Sequence, residues 1–400
     1  MKILHLLKWL SPGLNSGGKI RSCELGKILA SFADVDAIGF SPDHEPFEAT
    51  GRDVLPYRNL FPIPLTRSIF DFTCCITGVL KGRSLRSSRF YDRYYRRTLE
   101  QVLTQNHYDA IQVEELPMMS MLVPLGLKQP IVYSAHNVES ELSEGIFKNS
   151  SIFLRLLAAM EKRLTQCEEA AALQAARFCF AVSDNDKKKF LQLCGSSAPP
   201  IHVIPNCACD RFRPSSAALP KKEIIATGCF GWRPNAQGIR WFAEQVVPYL
   251  KKSLPGHCVR IVGSDIGGHL ARRLDRSGCS VSRDVPDILP FFQEASVLAV
   301  PLHVGGGTRI KIIEAWAAGL PVVSTFAGAD GLEYNPGSDI LIADSPEYFA
   351  ALVHKVATDD TVYKILRIGG LKRAEKLRWS QLRTKIETVY DKALINTKGL

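Results

Sequence analysis

Three consecutive glycines followed by a hydroxyl and two cations dominate the chemistry of this chain. They lie in Pro301–Ala315 (PLHVGGGTRIKIIEA), where an apolar run ends and a helical pattern begins. Glycines let a backbone come close to a ligand, and the N–H groups at a helix entrance, reinforced by the helix dipole, favour an anion. The amides of Gly306, Gly307 and Thr308 are therefore expected to hold a diphosphate. Arg309 and Lys311 oppose the dipole in the first turn and need that anion to justify them. Glu314 stands six residues beyond Thr308, about 9 Å up the helix axis, far enough to accept hydrogen bonds from a ribose. A plain tight turn with Glu314 in solvent is the competing reading.

Other candidates are weaker one by one. Ser11–Lys19 (SPGLNSGGK) follows an apolar strand and precedes a helix, so Gly17 and Gly18 either let the backbone approach a ligand or make an ordinary turn. His136, within Tyr133–Glu139 (YSAHNVE), sits just past a predicted strand, either as a satisfied structural histidine or as a group facing a ligand. Ser183 before Asp184 reads first as a helix N-cap. Asp34-Val35-Asp36 and Asp184-Asn185-Asp186 spell a metal-binding triplet that chance supplies in a chain of this length. No metal and no cofactor is expected.

Such loops belong at the carboxyl ends of parallel strands. Short β-like runs alternate with longer helical stretches, and the pattern occurs twice. Ile3–Leu7, Val35–Phe40, Ala110–Val113, Ile131–Ser134, Phe178–Val182 and Ile201–Ile204 form the first series. Ile224–Thr227, Val259–Val262, Val297–Pro301, Pro321–Thr325 and Ile340–Ile342 form the second. The fold class expected is α/β, with one Rossmann-like domain over 1–204, a Pro- and Ser-rich linker over 205–222 and a second such domain over 223–375. Residues 376–400 are expected to cross back onto the first domain as a helix.

Composition agrees with a two-domain enzyme. At 400 residues and 46% hydrophobic the chain is too long for one core and too apolar for disorder. No run approaches the roughly 20 apolar residues of a spanning helix, and Met1–Leu10 reads as a buried strand rather than a leader. Eleven scattered cysteines without a C-x-x-C pair suggest reduced thiols and a cytoplasmic location. The net charge of +10 is concentrated in Lys81–Arg97, which holds seven cations against Asp92 alone. Behind it lies the apolar stretch Leu60–Leu80, so residues 60–97 read either as peripheral attachment to an anionic membrane surface or as a solvated basic helix beside a core helix. No nucleic-acid module surrounds Phe90, Tyr91, Tyr94 and Tyr95, and no nucleic-acid partner is expected.

The strings GGGTRIKIIEAWAAGLPVVST, VIPNCACDRF, GCFGWRPNAQGIRWF and SRDVPDILPFFQEASVLAVPL resemble the retaining group-one (family four) glycosyltransferases of GT-B fold. The resemblance runs in order through residues 1–375. It implies two Rossmann-like domains facing a cleft, a nucleotide-diphosphate sugar donor held mainly by the second, a saccharide or lipid-linked acceptor on the first, no essential metal, and a retained anomeric configuration. It further implies that Gly17 and Gly18 lie near diphosphate and acceptor, that His136 meets the transferred sugar, and that Gly263 and the Arg283-to-Val285 loop lie near the nucleotide. Arg283 either stacks on the base or faces solvent. The oligomeric state is left open.

Several positions depart from that family. Gly306 stands where most members carry a Glu that contacts the sugar. Cys229 and Asn235 replace an Arg and a Lys that usually serve the diphosphate, and Cys207 and Cys209 replace a Gly and an Asp of the linker. The missing charge is expected from Arg309 and Lys311, with Arg233 as a third contributor. Two other readings stand beside the transferase: a nucleotide-sugar epimerase of the same fold, and a catalytically silent partner subunit.

Overall fold

The computed structural model describes the chain except residues 11–15, 42–54, 66–71, 142–151, 215–221, 305–307 and 396–400. It divides into two compact units: Met1–Leu14, Gly18–Pro205 and Leu382–Leu400 form the first, and Asn206–Gln381 with Asn15–Gly17 form the second.

In the first unit seven parallel strands are laid side by side in the order β3-β2-β1-β4-β5-β6-β7. They are β1 (Lys2–Trp9), β2 (Asp34–Ser41), β3 (Asn59–Pro64), β4 (Ala110–Glu114), β5 (Ile131–Ser134), β6 (Phe178–Ala181) and β7 (Ile201–Val203). Central strands buried on both faces read as near-continuous apolar runs, and this is why their positions were legible. In register, Leu4 lies beside Ile111 and Leu6 beside Val113. The strand β3 was not expected, because Pro62 and Pro64 argue against pairing; both are tolerated since β3 is an edge that bonds only β2. The apolar stretch after residue 60 is therefore divided between this edge strand and a helix, Phe72–Leu80. The basic stretch is likewise two helices, Leu85–Phe90 and Arg93–Gln105, capped by Ser84 and Asp92. Helix Arg383–Ile395 packs in this unit, with Ile386 and Tyr390 buried and the Tyr390 ring 5.3 Å from Phe178 and perpendicular to it.

The second unit carries six parallel strands in the order β10-β9-β8-β11-β12-β13. These are β8 (Glu223–Cys229), β9 (Cys258–Ser264), β10 (Ser280–Arg283), β11 (Val297–Val300), β12 (Val322–Ser324) and β13 (Leu341–Ile342). The polar β10 was missed, being an edge strand with little to bury. Residues expected in the linker are tied down here: the Ala208 N–H donates to Leu377 O at 2.9 Å, and Arg378 Nη1 donates to Phe212 O at 2.8 Å. Among the described residues no helix is long and apolar enough to cross a membrane.

Candidate functional site

Both sheets reverse their winding once, between β1 and β4 in the first unit and between β8 and β11 in the second, and ligands of open α/β sheets bind outside the carboxyl ends of strands at such points. Each reversal carries a cluster of polar side chains.

In the second unit β8 ends at Thr227-Gly228-Cys229, facing helices Arg233–Trp241 and Ile310–Ala317. The latter begins two residues later than expected, with Arg309 in the capping position, and Gly306 and Gly307 lie outside the described residues. Lys311 does not point back along the glycine loop. Its ammonium donates to Thr227 O and lies 3.4 Å from Asn235 Oδ1. Asn235 in turn donates to Cys229 O at 2.8 Å. Gly228 makes room for this arrangement, since a Cβ there would stand 3.0 Å from Asn235 Nδ2 and 3.2 Å from Lys311 Nζ. Lys311 thus brings its cation to the turn after β8, beside Asn235. Burial, with a contribution from Arg309, pushes the Lys311 ammonium down to about 7 against the opposing pull of Cys229 and Glu314.

The neighbours of Lys311 are also enclosed. The Arg309 guanidinium lies 5.7 Å from the Trp232 ring centre. Thr308, Arg309 and Glu314 are all buried, so the solvent-facing alternative for Glu314 does not hold. Asn206, which the sequence reading left as a linker residue, donates Nδ2 to Thr308 Oγ1 at 2.8 Å and to Thr308 O at 3.3 Å, pinning the residue before the helix. Cys229 donates its thiol to Asp265 Oδ2 at 3.0 Å, and burial pushes that thiol up, so this position carries a neutral thiol bonded to a carboxylate.

The remaining second-unit candidates spread along the strand ends. Arg233 is exposed at the first position of its helix. Gly263 lies inside β9 rather than in a loop after it; it pairs with Gly228 and Arg283, and a Cβ there would fall 1.8 Å from Gly228 O. Its glycine is required by strand packing. Arg283 is exposed at the end of β10, and half-buried Val285 follows Asp284, whose φ of +49° turns the chain.

In the first unit the cluster is built on Glu114, the last residue of β4. His136 Nε2 lies 2.7 Å from Glu114 Oε2, and His5 Nε2, from β1, lies 3.0 Å from Oε1. Gln112 donates to the same Oε1 at 2.8 Å. Burial by itself would raise the Glu114 carboxyl, but the bonds from His136 and His5 outweigh it and hold the group well below the usual carboxylate range. Glu115 next to it has φ +68°, unusual for a residue with a side chain, and its carboxylate pairs with Lys8 and stands 3.9 Å from His136 Nδ1. A Cβ on Gly18 would lie 3.5 Å from that same Nδ1 and 3.6 Å from Glu115 Oε1, so the start of helix Gly17–Ala30 lies beside the imidazole at a distance that would admit a small side chain.

The loop after His136 is held from behind. Glu169, on helix Ile152–Ala175, accepts from the amides of Glu139 at 2.6 Å and Ser140 at 3.4 Å, and burial raises its carboxyl to about 7. Glu139 itself pairs with Arg86, which turns one of the seven basic-stretch cations inward. Arg96 bonds Glu100 and Tyr91, and Arg83 lies 3.6 Å over the Tyr91 ring. Tyr95 is buried, donating to Leu7 O and Ile38 O. What remains at the surface is Lys81, Arg89, Arg93 and Arg97 with Ile76, Leu80 and Tyr94. Ser183 caps helix Asp184–Cys194 as read. Asp36 of the first D-x-D triplet is buried among Lys2, Asn59 and Tyr108.

Two family models match the chain in succession: Glycosyltransferase Family 4 over residues 33–208 and Glycosyl transferases group 1 over 221–359. The chain is a group-one, family-four glycosyltransferase of GT-B fold. The architecture recurs in a sucrose-phosphate synthase from Thermosynechococcus elongatus, at 16% identity and a TM-score of 0.72 over 99% of this chain and 100% of that one. It recurs in HepE of Anabaena, solved with UDP and glucose, at 15% identity and a TM-score of 0.70 over 98% and 99%. The pneumococcal O-GlcNAc transferase GtfA, solved with UDP and GlcNAc, gives 12% and 0.71 over 98% and 99%. At such identities the likeness is one of fold. No curated protein matches the chain in sequence.

Proposed function

We propose that this glycosyltransferase moves a sugar from a uridine-diphosphate donor to a saccharide or lipid-linked acceptor, with retention of the anomeric configuration and without a metal. The observation that carries the reading is the half-buried Lys311 ammonium at the β8 turn, held by Thr227 O and Asn235 and with no carboxylate in an ion pair to it among the described residues. A half-buried cation with only neutral partners is costly, and a diphosphate supplies what it lacks. HepE and GtfA, both solved with UDP, support the choice of base.

Lys311, Arg309, Arg233 and the amides of Gly306, Gly307 and Thr308 stabilise the departing diphosphate, and Glu314 accepts from the ribose. Retention follows if a departing phosphate oxygen takes the acceptor proton on the face of attack. His136 bonds the hydroxyls of the transferred sugar. The acceptor we infer belongs to bacterial surface polysaccharide or glycolipid assembly. The exposed Leu80, Ile76, Lys81, Arg89, Arg93 and Arg97 favour a peripheral seat on an anionic membrane at its cytoplasmic side.

The test is UDP release from a panel of uridine-diphosphate sugars with NMR assignment of the product anomer. A transferred sugar in the donor's configuration, with turnover unchanged in excess chelator, is expected. Release of a free epimerised nucleotide sugar, or inversion, overturns the reading.

A further inference from the structure

The polar groups behind His136 continue past Glu114. Gln112 and Glu114 are two residues apart on β4 and so share one face of the sheet, as Phe178 and Phe180 do on β6. The Tyr390 ring covers that face, 5.3 Å from Phe178 and 6.3 Å from Phe180, and its hydroxyl donates to Gln112 Oε1. Tyr390, Gln112 and Glu114 are wholly buried. The direction of every bond is settled by elimination. Glu114 is ionised and only accepts, so the Gln112 amide must present its NH₂ to Glu114 and its oxygen to Tyr390. His5 and His136 must each donate from Nε2, and the Tyr57 hydroxyl lies 3.1 Å from His5 Nδ1. His136 is thereby left with Nδ1 as the nitrogen facing Gly18 and Glu115.

An apolar sheet face against an apolar helix would be the simpler way to seat Arg383–Ile395, since buried polar chains add little net stability. This one leads from the C-terminal helix to the candidate sugar-binding imidazole. We propose that Tyr390 is a positioning residue for His136, acting through Gln112 and Glu114: its hydroxyl fixes the Gln112 amide, the amide orients the Glu114 carboxylate, and the carboxylate fixes the imidazole with Nδ1 toward the substrate. The inference rests on His136 meeting the sugar.

A double-mutant cycle between Tyr390→Phe and Glu114→Gln tests it in the full chain, with kcat, donor KM and UDP affinity measured for each. Tyr390→Phe keeps the ring packing and removes one bond; it is expected to lower kcat about 3- to 10-fold while leaving UDP affinity unchanged. Glu114→Gln should lower kcat further, because an amide cannot accept from both imidazoles and from Gln112 as the carboxylate does. The double variant should be no slower than Glu114→Gln within about twofold. Losses that multiply, or a Tyr390→Phe enzyme that is merely less heat-stable at full kcat, overturn the proposal. If Glu114→Gln does not fold, Gln112→Leu takes its place in the same cycle. Full activity in His136→Asn would instead sink the reading of His136 itself, whatever the cycle shows.

Discussion

The two strand-end clusters solve opposite electrostatic problems. Around Glu114 every charge has a counter-charge or a donor in place: two histidines and an amide on one carboxylate, and Lys8 on Glu115. Around Lys311 a half-buried ammonium meets a carbonyl and an amide oxygen. The first cluster is internally satisfied; the second has no carboxylate in an ion pair with its ammonium among the described residues, and in the function proposed above it is the one that binds an anion. Breaking the second should therefore weaken UDP binding while raising stability, and breaking the first should lower stability and leave UDP binding alone.

The largest effect is expected from Lys311→Met, which should weaken UDP binding by about 10- to 100-fold, the worth of one charge-assisted contact, by titration calorimetry. The same variant should unfold at higher urea than the parent without ligand, gaining about 1 kcal/mol or more, because a desolvated ammonium is gone. Glu114→Gln should do the reverse, costing about 1–3 kcal/mol of stability by leaving buried donors poorly matched, with UDP affinity unchanged. A urea titration in which both variants shift the same way would erase the contrast.

A sharper version adds Asn235→Lys to Lys311→Met. Since the two side chains are 3.4 Å apart, the new ammonium should recover at least tenfold in UDP affinity; no recovery would mean that position, and not charge, matters at 311.

Protonation gives a smaller but distinct signal. With its folded value near 7 and its unfolded value at 10.5, Lys311 binds fewer protons in the native state, so its contribution makes stability rise with pH between those limits. A bound diphosphate favours the charged ammonium, so nucleotide binding at pH 8 should take up a proton and at pH 6 should not; calorimetry in buffers of different ionisation enthalpy reads this. Glu114, held low, contributes stability that is present above about 4.5 and lost as pH falls through its depressed value. The smallest effect is expected for Asn206→Ala, a roughly threefold loss in donor kcat/KM from a less firmly pinned Thr308.

Residue order along the chain determined a good deal. The central strands, the helices that begin near Gly17 and Ile310 and the Ser183 cap were legible because apolar runs, glycines and capping residues act over a few neighbouring positions. Edge strands β3 and β10 were not, since prolines interrupt the first and the second is polar and half-exposed. Nor could the sequence say that Lys311 reaches across to Asn235, that Asn206 holds Thr308, or that Arg86 turns inward. Tertiary structure alone decided the carboxylate cluster. His5, Gln112, Glu114, His136 and Tyr390 come from two strands, the loop after a third and a C-terminal helix, and only the parallel register of β1, β4 and β5 brings them within hydrogen-bond reach. Hydrogen bonds are decided by distances of a few tenths of an ångström, which no spacing between residues in a linear chain encodes.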